Sequence, residues 1–363
     1  MTDISTDDVT VDDLLLDSAE RLFAETATFD AVQAAEAHGW ADGVWRAVAG
    51  AGFAWIGVDD TAGGSGGSLA DACAVLRIAG AHAAPVPLAE TGILGGWLLA
   101  DAGLPLPDGP VTVAPGVGDD DLVATDAGGG SVGLDGAVHR VPWAARVDRI
   151  VLLVPVGDEL RVVAVEPSMA MIDDATNLAG EPRPTVRFDG VTVTADAVGT
   201  PAEATPERLR LRGALSRVSL MAGALEAMSR LTVGYTEQRQ QFGRPVARFQ
   251  AVQQHLVWGA QDAAITWMAA EVAARQAARH LDGARFEIAS AKAVADAAAG
   301  TATRWAHQAH GAMGMTQEYA LHHLSRRLWS WRHEWATPQE WERHVGRLAE
   351  SAGSDGLYPL IAR

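Results

Sequence analysis

The sequence predicts an α+β chain in three parts: an N-terminal helical domain, a middle small β-barrel or sandwich domain, and a C-terminal helical bundle. Three observations carry this reading. Apolar residues recur at helical spacing up to about Leu104; Gly, Pro and Asp then punctuate short β-branched runs as far as Val198; helical spacing returns at Pro206 and persists. The boundaries fall at 1–104, 105–200 and 201–363, and a chain of 363 residues is long enough for two or three such units with sizeable cores.

In the first part Leu14, Leu15, Ala19, Leu22 and Phe23 share one helical face, and Trp45, Val48 and Phe53 follow. The stretch Gly63-Gly64-Ser65-Gly66-Gly67-Ser68 interrupts the pattern, and Leu69 to Ala81 then reads as a helix with Ser68 as its N-cap. A glycine-rich turn opening a helix can cradle a phosphate on free amides. Here no strand precedes it in a βαβ frame and no acid closes the unit, so a structural turn is expected rather than a dinucleotide site.

In the second part Ile150 to Val154, Leu160 to Val165 and Val186 to Val193 read as strands, with Gly157-Asp158 as a hairpin turn. About six or seven strands without helix-length connections suit a barrel or sandwich rather than a parallel sheet. In the third part Pro206 suits a first helical turn, and Glu207 to Thr236 reads as one long helix. Further helices are expected over Phe249 to Leu281, Arg285 to Met313 and Glu318 to Trp335.

Composition excludes some function classes. With 46 acidic and 28 basic side chains the net charge is -18, which argues against a general nucleic-acid binder, because displacing counterions from phosphates needs a basic face. An anionic ligand must meet a local arginine cluster. Lys292 is the single lysine and Cys73 the single cysteine, so neither an internal disulfide nor a multi-Cys metal site is expected. The first 25 residues are acidic and lack a signal-peptide pattern, and no apolar run reaches the roughly 18 residues of a membrane span. A soluble, unexported, cytoplasmic protein is the expectation.

The chemistry-bearing stretch is Tyr235-Thr-Glu-Gln-Arg-Gln-Gln-Phe-Gly-Arg-Pro-Val-Ala-Arg-Phe-Gln250. It resembles the signature of the acyl-CoA dehydrogenase family, in which a Tyr/Glu/Arg helix end runs into a Phe-Gly turn and a glutamine opens the next helix. Three more segments match in order: the glycine turn before Asp71-Ala72, the strand Thr185-Val-Arg-Phe-Asp-Gly-Val-Thr-Val, and Gln308-Ala-His-Gly-Ala-Met-Gly-Met-Thr-Gln-Glu-Tyr319. The resemblance covers nearly the whole chain.

It implies a flavoprotein oxidoreductase that binds FAD, oxidises the Cα–Cβ bond of an acyl-CoA thioester in fatty acid or steroid catabolism, and passes electrons to an electron-transfer flavoprotein. That reaction needs a base for the α-proton, a hydride acceptor for Cβ, and donors that polarise the thioester carbonyl. The positions that match the family's FAD contacts are Arg239, Gln241, Phe242, Gln250, Gln308, Gly311, Ala312, Thr337 and Gln339, many of them reaching the cofactor across a subunit interface. The arginine of the set is directed at the pyrophosphate, which its planar guanidinium suits. Trp143 loosely matches a strand tryptophan near the flavin, with ordinary packing as the alternative.

The departures concern activity. The family's base is the glutamate of a Glu-Gly-Thr turn, and Trp335-Ala336-Thr337 stands on that turn; Glu318 lies inside the glycine motif and is not the base. The position that carries the base in other members falls on Gly213, which has no side chain to take a proton. Glu334 is one residue off, and the preferred reading is a solvated acid paired with a neighbouring arginine. The donor segment that cradles the flavin has no counterpart between Val111 and Leu134, where Gly116-Val-Gly-Asp-Asp-Asp121 puts three carboxylates instead.

A chain with the shared flavin motifs but neither base nor cradle resembles a subunit of the heteromeric actinobacterial acyl-CoA dehydrogenases, in a hetero- or homotetramer, with no catalytic residue assigned here. Alternatives are an independent homomeric dehydrogenase and a non-catalytic structural partner. Arg208, Arg210, Arg212, Arg217, Arg239, Arg244 and Arg248 cluster in the third part; most are expected on solvated helix faces, and Arg326 and Arg327 are read as structural. Trp329, Trp331, Trp335 and Trp341 suggest core or oligomer interface, with Trp335 filling space where an acyl chain would lie.

Overall fold

Helices α1 (Asp13–Thr26), α2 (Phe29–His38), α3 (Asp42–Gly50) and α4 (Leu69–Ala81) open the chain, and each begins where a short polar side chain or a turn frees it to start. The structure is a computed structural model that describes residues 11–116 and 118–362; the acidic stretch through Thr10 and Val117 of the acidic loop lie outside the described residues. Ser68 caps α4 in a reciprocal capping box with Asp71, and Gly66 pairs with Val58 across the glycine stretch, so that stretch is a structural turn. A buried π-helical segment, Ala89–Gly96, then runs into the short α5 (Trp97–Asp101).

The middle part is a sandwich of two four-stranded sheets. Strands β1 (Val111–Val113), β4 (Arg149–Val156), β5 (Glu159–Val165) and β8 (Val198–Gly199) form one sheet. The other holds β2 (Val123–Gly128), β3 (Ser131–Val138), β7 (Thr185–Val193) and β6 (Met171–Asp173), in the order β2-β3-β7-β6. The hairpin at Gly157-Asp158 closes β4 onto β5 in register from Ile150↔Val165 to Val156↔Glu159. One pairing departs from the antiparallel expectation: β1 runs parallel to β4, because the chain visits the other sheet between them. The sandwich has its own core of Val132, Leu134, Trp143, Ile150, Leu152, Val163 and Phe188.

The C-terminal helices are α6 (Pro206–Gln238), α7 (Gln250–Arg279), α8 (Arg285–His310), α9 (Leu321–Trp331) and α10 (Pro338–Ile361). They share one continuous core with the N-terminal helices. α6 is the axis of that core, with Leu215, Val218, Met221 and Leu225 at 1% exposure or less. Among the described residues no helix is long and apolar enough to cross a membrane.

α4 and α6 meet backbone to backbone. A Cβ on Gly80 would stand 2.1 Å from the Leu220 carbonyl oxygen, and one on Gly223 would stand 1.7 Å from that of Arg77. Neither partner is a side chain that can move aside. Gly223→Ala is therefore expected to lower stability by about 1–3 kcal/mol or more, despite alanine's better helix propensity, as read by urea unfolding.

Candidate functional site

α6 is 33 residues long and carries the two halves of the candidate site at its opposite ends. Gly213 lies near its start and Arg239 follows its last residue, Gln238, so at 1.5 Å per residue the two are about 39 Å apart. The predicted cofactor residues sort accordingly into two groups that no single dinucleotide can bridge within one chain.

The first group surrounds the end of α6. After Gln238, Gln240–Gln241 and Arg244–Pro245 pair as a two-residue hairpin whose tip is Phe242-Gly243, both with positive φ, 53° and 79°. Left-handed backbone suits the glycine and strains the phenylalanine. The Phe242 side chain is nonetheless 91% exposed. Arg239, Gln241, Gln250, Gln308, Gly311 and Ala312 are exposed as well. What joins these loops is an aromatic stack beneath them: Tyr235 lies on His310 with ring centroids 4.5 Å apart, and Tyr319 meets both at 5.5 and 5.0 Å. His310 is buried, and burial pushes its imidazole below its ordinary range, so it packs as a neutral ring. Arg239 makes no ion pair among the described residues, which leaves its guanidinium available to an outside anion.

The second group lies beside Gly213. A Cβ there would stand 2.0 Å from the indole of Trp335, so the two positions that the resemblance points to for a base face each other across one spot, which tryptophan on glycine fills. Trp335 and Ala336 have φ of 60° and 94°, so the turn keeps a left-handed shape without a glycine in it. The Trp335 carbonyl accepts from Trp341 Nε1 at 2.9 Å, and Arg210 lies over the Trp341 ring. Thr337 is committed to its own helix: its hydroxyl caps α10 in a box with Glu340. Gln339 is exposed one residue beyond Pro338.

Glu334 is neither a free base nor a solvated acid. Its carboxylate accepts from Arg183 Nε at 2.9 Å and Arg217 Nε at 2.5 Å, guanidiniums that come from the sandwich and from α6. Burial by itself would raise this carboxyl, but the two arginines outweigh it and hold it at about 2. Arg217 also bonds Glu90 at 2.5 Å, and Arg183 bonds Glu181 at 3.0 Å. Glu181 continues to Arg327, and Arg327 to Glu36, which Arg326 and His323 also hold. The expectation of a neighbouring arginine is thus corrected: both partners are far away in sequence, and Arg217 is buried, not on a solvated face. The expectation of structural arginines at 326 and 327 agrees with the geometry.

This cluster leaves almost no free space around it. Trp143 is 3% exposed with Arg183 stacked over its ring at 4.8 Å, so packing is its observed role. The space among Leu88, Glu90, Trp143, Arg183, Arg217 and Trp331 is about 10 Å³, room for one water and far below a ligand cavity. On the sandwich, Asp121 and Asp120 accept from the backbone N–H groups of Ala137 and His139, and Asp119 pairs with Arg140. Those acids close the strand edge where a flavin cradle was sought.

Of the other arginines in the cluster, Arg208 pairs with Asp282 and Glu203, and Arg212 stacks on Trp97 and donates to the Ile93 carbonyl. Sequence reasoning missed Glu36, Glu90, Glu181 and Arg183. The available signal was a lone acid inside an apolar run, as at Glu90 between Leu88-Ala89 and Ile93-Leu94, which must find a buried partner.

Residues 211–331 match the family model "Acyl-CoA dehydrogenase, C-terminal domain". The chain is 30% identical over 305 residues to acyl-CoA dehydrogenase FadE34 of Mycobacterium tuberculosis, a match that covers 78% of this chain and spans only 39% of that protein's length. It is 28% identical over 314 residues to acyl-CoA dehydrogenase FadE27 of the same organism, covering 77% of this chain and 80% of that one. In three dimensions it is similar to a chain of the ChsE4-ChsE5 complex from Mycobacterium tuberculosis, with a TM-score of 0.86, 22% identity, and coverage of 94% and 99% of the two chains.

Glu334→Gln removes the charge both arginines share and is expected to cost about 3–5 kcal/mol. Because the folded carboxyl titrates near 2 and a free glutamate near 4.5, the contribution of Glu334 is complete above about pH 4.5 and is lost as pH falls toward 2. Thermal unfolding of the wild type and the variant should therefore converge over that acid range; a constant difference down to pH 2 would contradict the assignment.

Proposed function

We propose that this chain, whose residues 211–331 match an acyl-CoA dehydrogenase C-terminal domain and whose fold is that of acyl-CoA dehydrogenases, is the non-catalytic half of a heteromeric acyl-CoA dehydrogenase. It contributes one face of a flavin site whose seat and base belong to an unlike partner chain. The observation that carries this reading is the separation along α6: an open, strained and exposed loop group at one end, and a filled, ion-locked pocket at the other.

The cofactor proposed is FAD, which when bound supplies the hydride acceptor for the substrate's Cβ. Of this chain's residues, the first group fits it and the second does not. Arg239, exposed just before the hairpin, is proposed to meet the pyrophosphate, with charge-assisted and bidentate bonds available to its guanidinium. Phe242 and Ala312 offer apolar and close-backbone contact, and Gln241, Gln250 and Gln308 offer amide donors and acceptors. At the other end, Trp335, Arg183 and the closed cluster exclude both a flavin ring and an acyl chain, and Glu334 is too strongly held to accept an α-proton.

The acyl-CoA thioester is accordingly proposed to bind in the partner, whose carboxylate removes the α-proton. This chain's share is to orient the nucleotide and exclude water from it. Electrons are proposed to pass to an electron-transfer flavoprotein, and the working assembly to be a cytoplasmic heterotetramer. A purely structural partner is the second reading; the exposure of Phe242 in a strained turn favours contact with a ligand over a passive surface.

Co-expression with an unlike homologous chain tests the reading by flavin counting. The expected content is one FAD per pair of unlike chains and none on this chain purified alone, which should show no acyl-CoA turnover. Arg239→Ala in the assembled pair should weaken FAD retention roughly tenfold or more, the scale of a lost charge-assisted contact, with the chains still associated. A yellow, active preparation of this chain alone would overturn the proposal, and unchanged flavin content in the variant would favour the purely structural role.

A further inference from the structure

The two exposed loops rise from one aromatic floor. In the last turn of α6 the Tyr235 carbonyl accepts from the Arg239 N–H at 2.9 Å, and the Arg239 carbonyl accepts from the Val246 N–H at 2.8 Å, so the base of the hairpin hangs on Tyr235. α8 ends on His310, and the turn Gly311–Met315 folds back over it: a Cβ on the buried Gly314 would stand 2.9 Å from the His310 Cβ. Tyr319 closes that turn ahead of α9. Tyr235 and His310 are stacked at an interplanar angle of 22°, with the Tyr319 ring at 65° and 54° to them.

His310 is 3% exposed, and its Nδ1 lies 2.8 Å from the Ala306 carbonyl, which can only accept, so the neutral ring carries its proton on Nδ1. Nε2 is then a buried lone pair, and it meets no hydrogen-bond partner among the described residues. The titratable groups facing the ring are Tyr235 from α6, Tyr319 from the loop before α9, and His307 one turn back on α8. None of the three is a carboxylate that would pair with an imidazolium.

We propose that Tyr235, His310 and Tyr319 are positioning residues that hold the hairpin and the glycine turn at one spacing, and that His310 does so only as a neutral ring, so that acid releases both loops. The rings act through the backbone that leaves directly from them. Each ring pair contributes about 1 kcal/mol, and His310 shares in two of the three pairs. Protonation would put a second N–H into a buried spot that offers it no acceptor, and a charged group left unmet costs more than a neutral one. The ring avoids that cost by swinging out to water, which lifts the turn packed on it and uncovers Tyr235. Burial pushes His310 below its ordinary range against the pull of the Ala306 carbonyl, and His307, itself pushed down by burial, adds to the fall. The contribution of the neutral ring is thus complete above the ordinary value of 6.5 and is lost as pH falls through the lower folded value. The spacing of the loops stands on the stack alone; its bearing on flavin rests on the proposed function.

Hydrogen exchange of the full chain alone tests the positioning. At about pH 7.5 the amides of Val246, Phe249 and Thr316 are expected to be protected, and by about pH 5 to exchange roughly tenfold faster than the intrinsic rate change accounts for, while the core of α6 stays protected. His310→Phe keeps a ring and removes the titration, so its loops should be protected at both values. His310→Leu removes the ring and should leave the loops fast at both, with unchanged far-ultraviolet circular dichroism. Wild-type loops equally protected at both values, a His310→Phe variant that follows the wild type into acid, or a His310→Leu variant as protected as the wild type at neutral pH would overturn the proposal. In the co-expressed pair, FAD retention should fall over the same range in the wild type and not in His310→Phe; a flat wild-type profile beside acid-labile loops would overturn the acid release. A pair that holds no FAD at all would count against the proposed function alone, because loop exchange decides the positioning by itself.

Discussion

A carboxylate largely withdrawn from water must be met by cations, and much of this protein is arranged around meeting four of them, two fully buried and two partly so. Glu36, Glu90, Glu181 and Glu334 are each held by arginine, in a continuous series through Arg217, Arg183, Arg327 and Arg326. The series draws on α2, the π-helical segment, the sandwich, α6, α9 and the turn before α10. Removing one member would leave its neighbours short of a partner, so the domains are fixed to one another by the same atoms that close the pocket. Closure and rigidity are one feature.

The same packing fills the space around Trp335. A tryptophan at 335 needs room, and Gly213 supplies it by having no side chain. With the turn backbone still left-handed at Trp335 and Ala336, Glu334 points into the arginines and Thr337 still caps α10. Lys292, fully buried, donates to the Arg332 carbonyl at the end of α9 and pairs with Asp296 at 2.6 Å, so the start of this turn is anchored from α8 as well. Burial pushes the Asp296 carboxyl up to about 6, with Lys292 pulling against that rise, which shows how dry the anchor is.

The fold was legible wherever periodicity and punctuation act locally. Ser68 before Leu69, Pro206 at the first turn of α6 and Gly157-Asp158 between β4 and β5 are each decided by a few neighbouring residues, and the structure has them as read. The two loops whose residues are consecutive in short stretches adjoin over Tyr235, His310 and Tyr319, while their contact with a cofactor belongs to the proposal. The parallel pairing of β1 with β4 was not, since it depends on a route through the other sheet. The ionic series was not legible either: Arg217 lies 127 residues from Glu90 and 117 from Glu334, and a lone charge in sequence does not name its partner. Trp335, expected in a core or an interface, is buried against Gly213.

The two ends of α6 differ in what their strain is worth inside the chain. At Trp335 and Ala336 the cost of left-handed backbone is offset by burial of the indole, the Trp341 hydrogen bond and the clamp on Glu334, so the arrangement is complete in one molecule. At Phe242 there is no such return: the ring is turned outward, its contact with Phe249 is edge-on at 6.0 Å, and Arg244 stacks on Phe249 rather than on it. A strained, solvent-facing aromatic beside an arginine without an ion-pair partner is stabilised only by something outside the chain. An anionic, ring-bearing ligand held by another subunit would satisfy both side chains at once, which a flat protein surface would not. One end of α6 thus presents an exposed, strained surface, and the other end is filled within the chain.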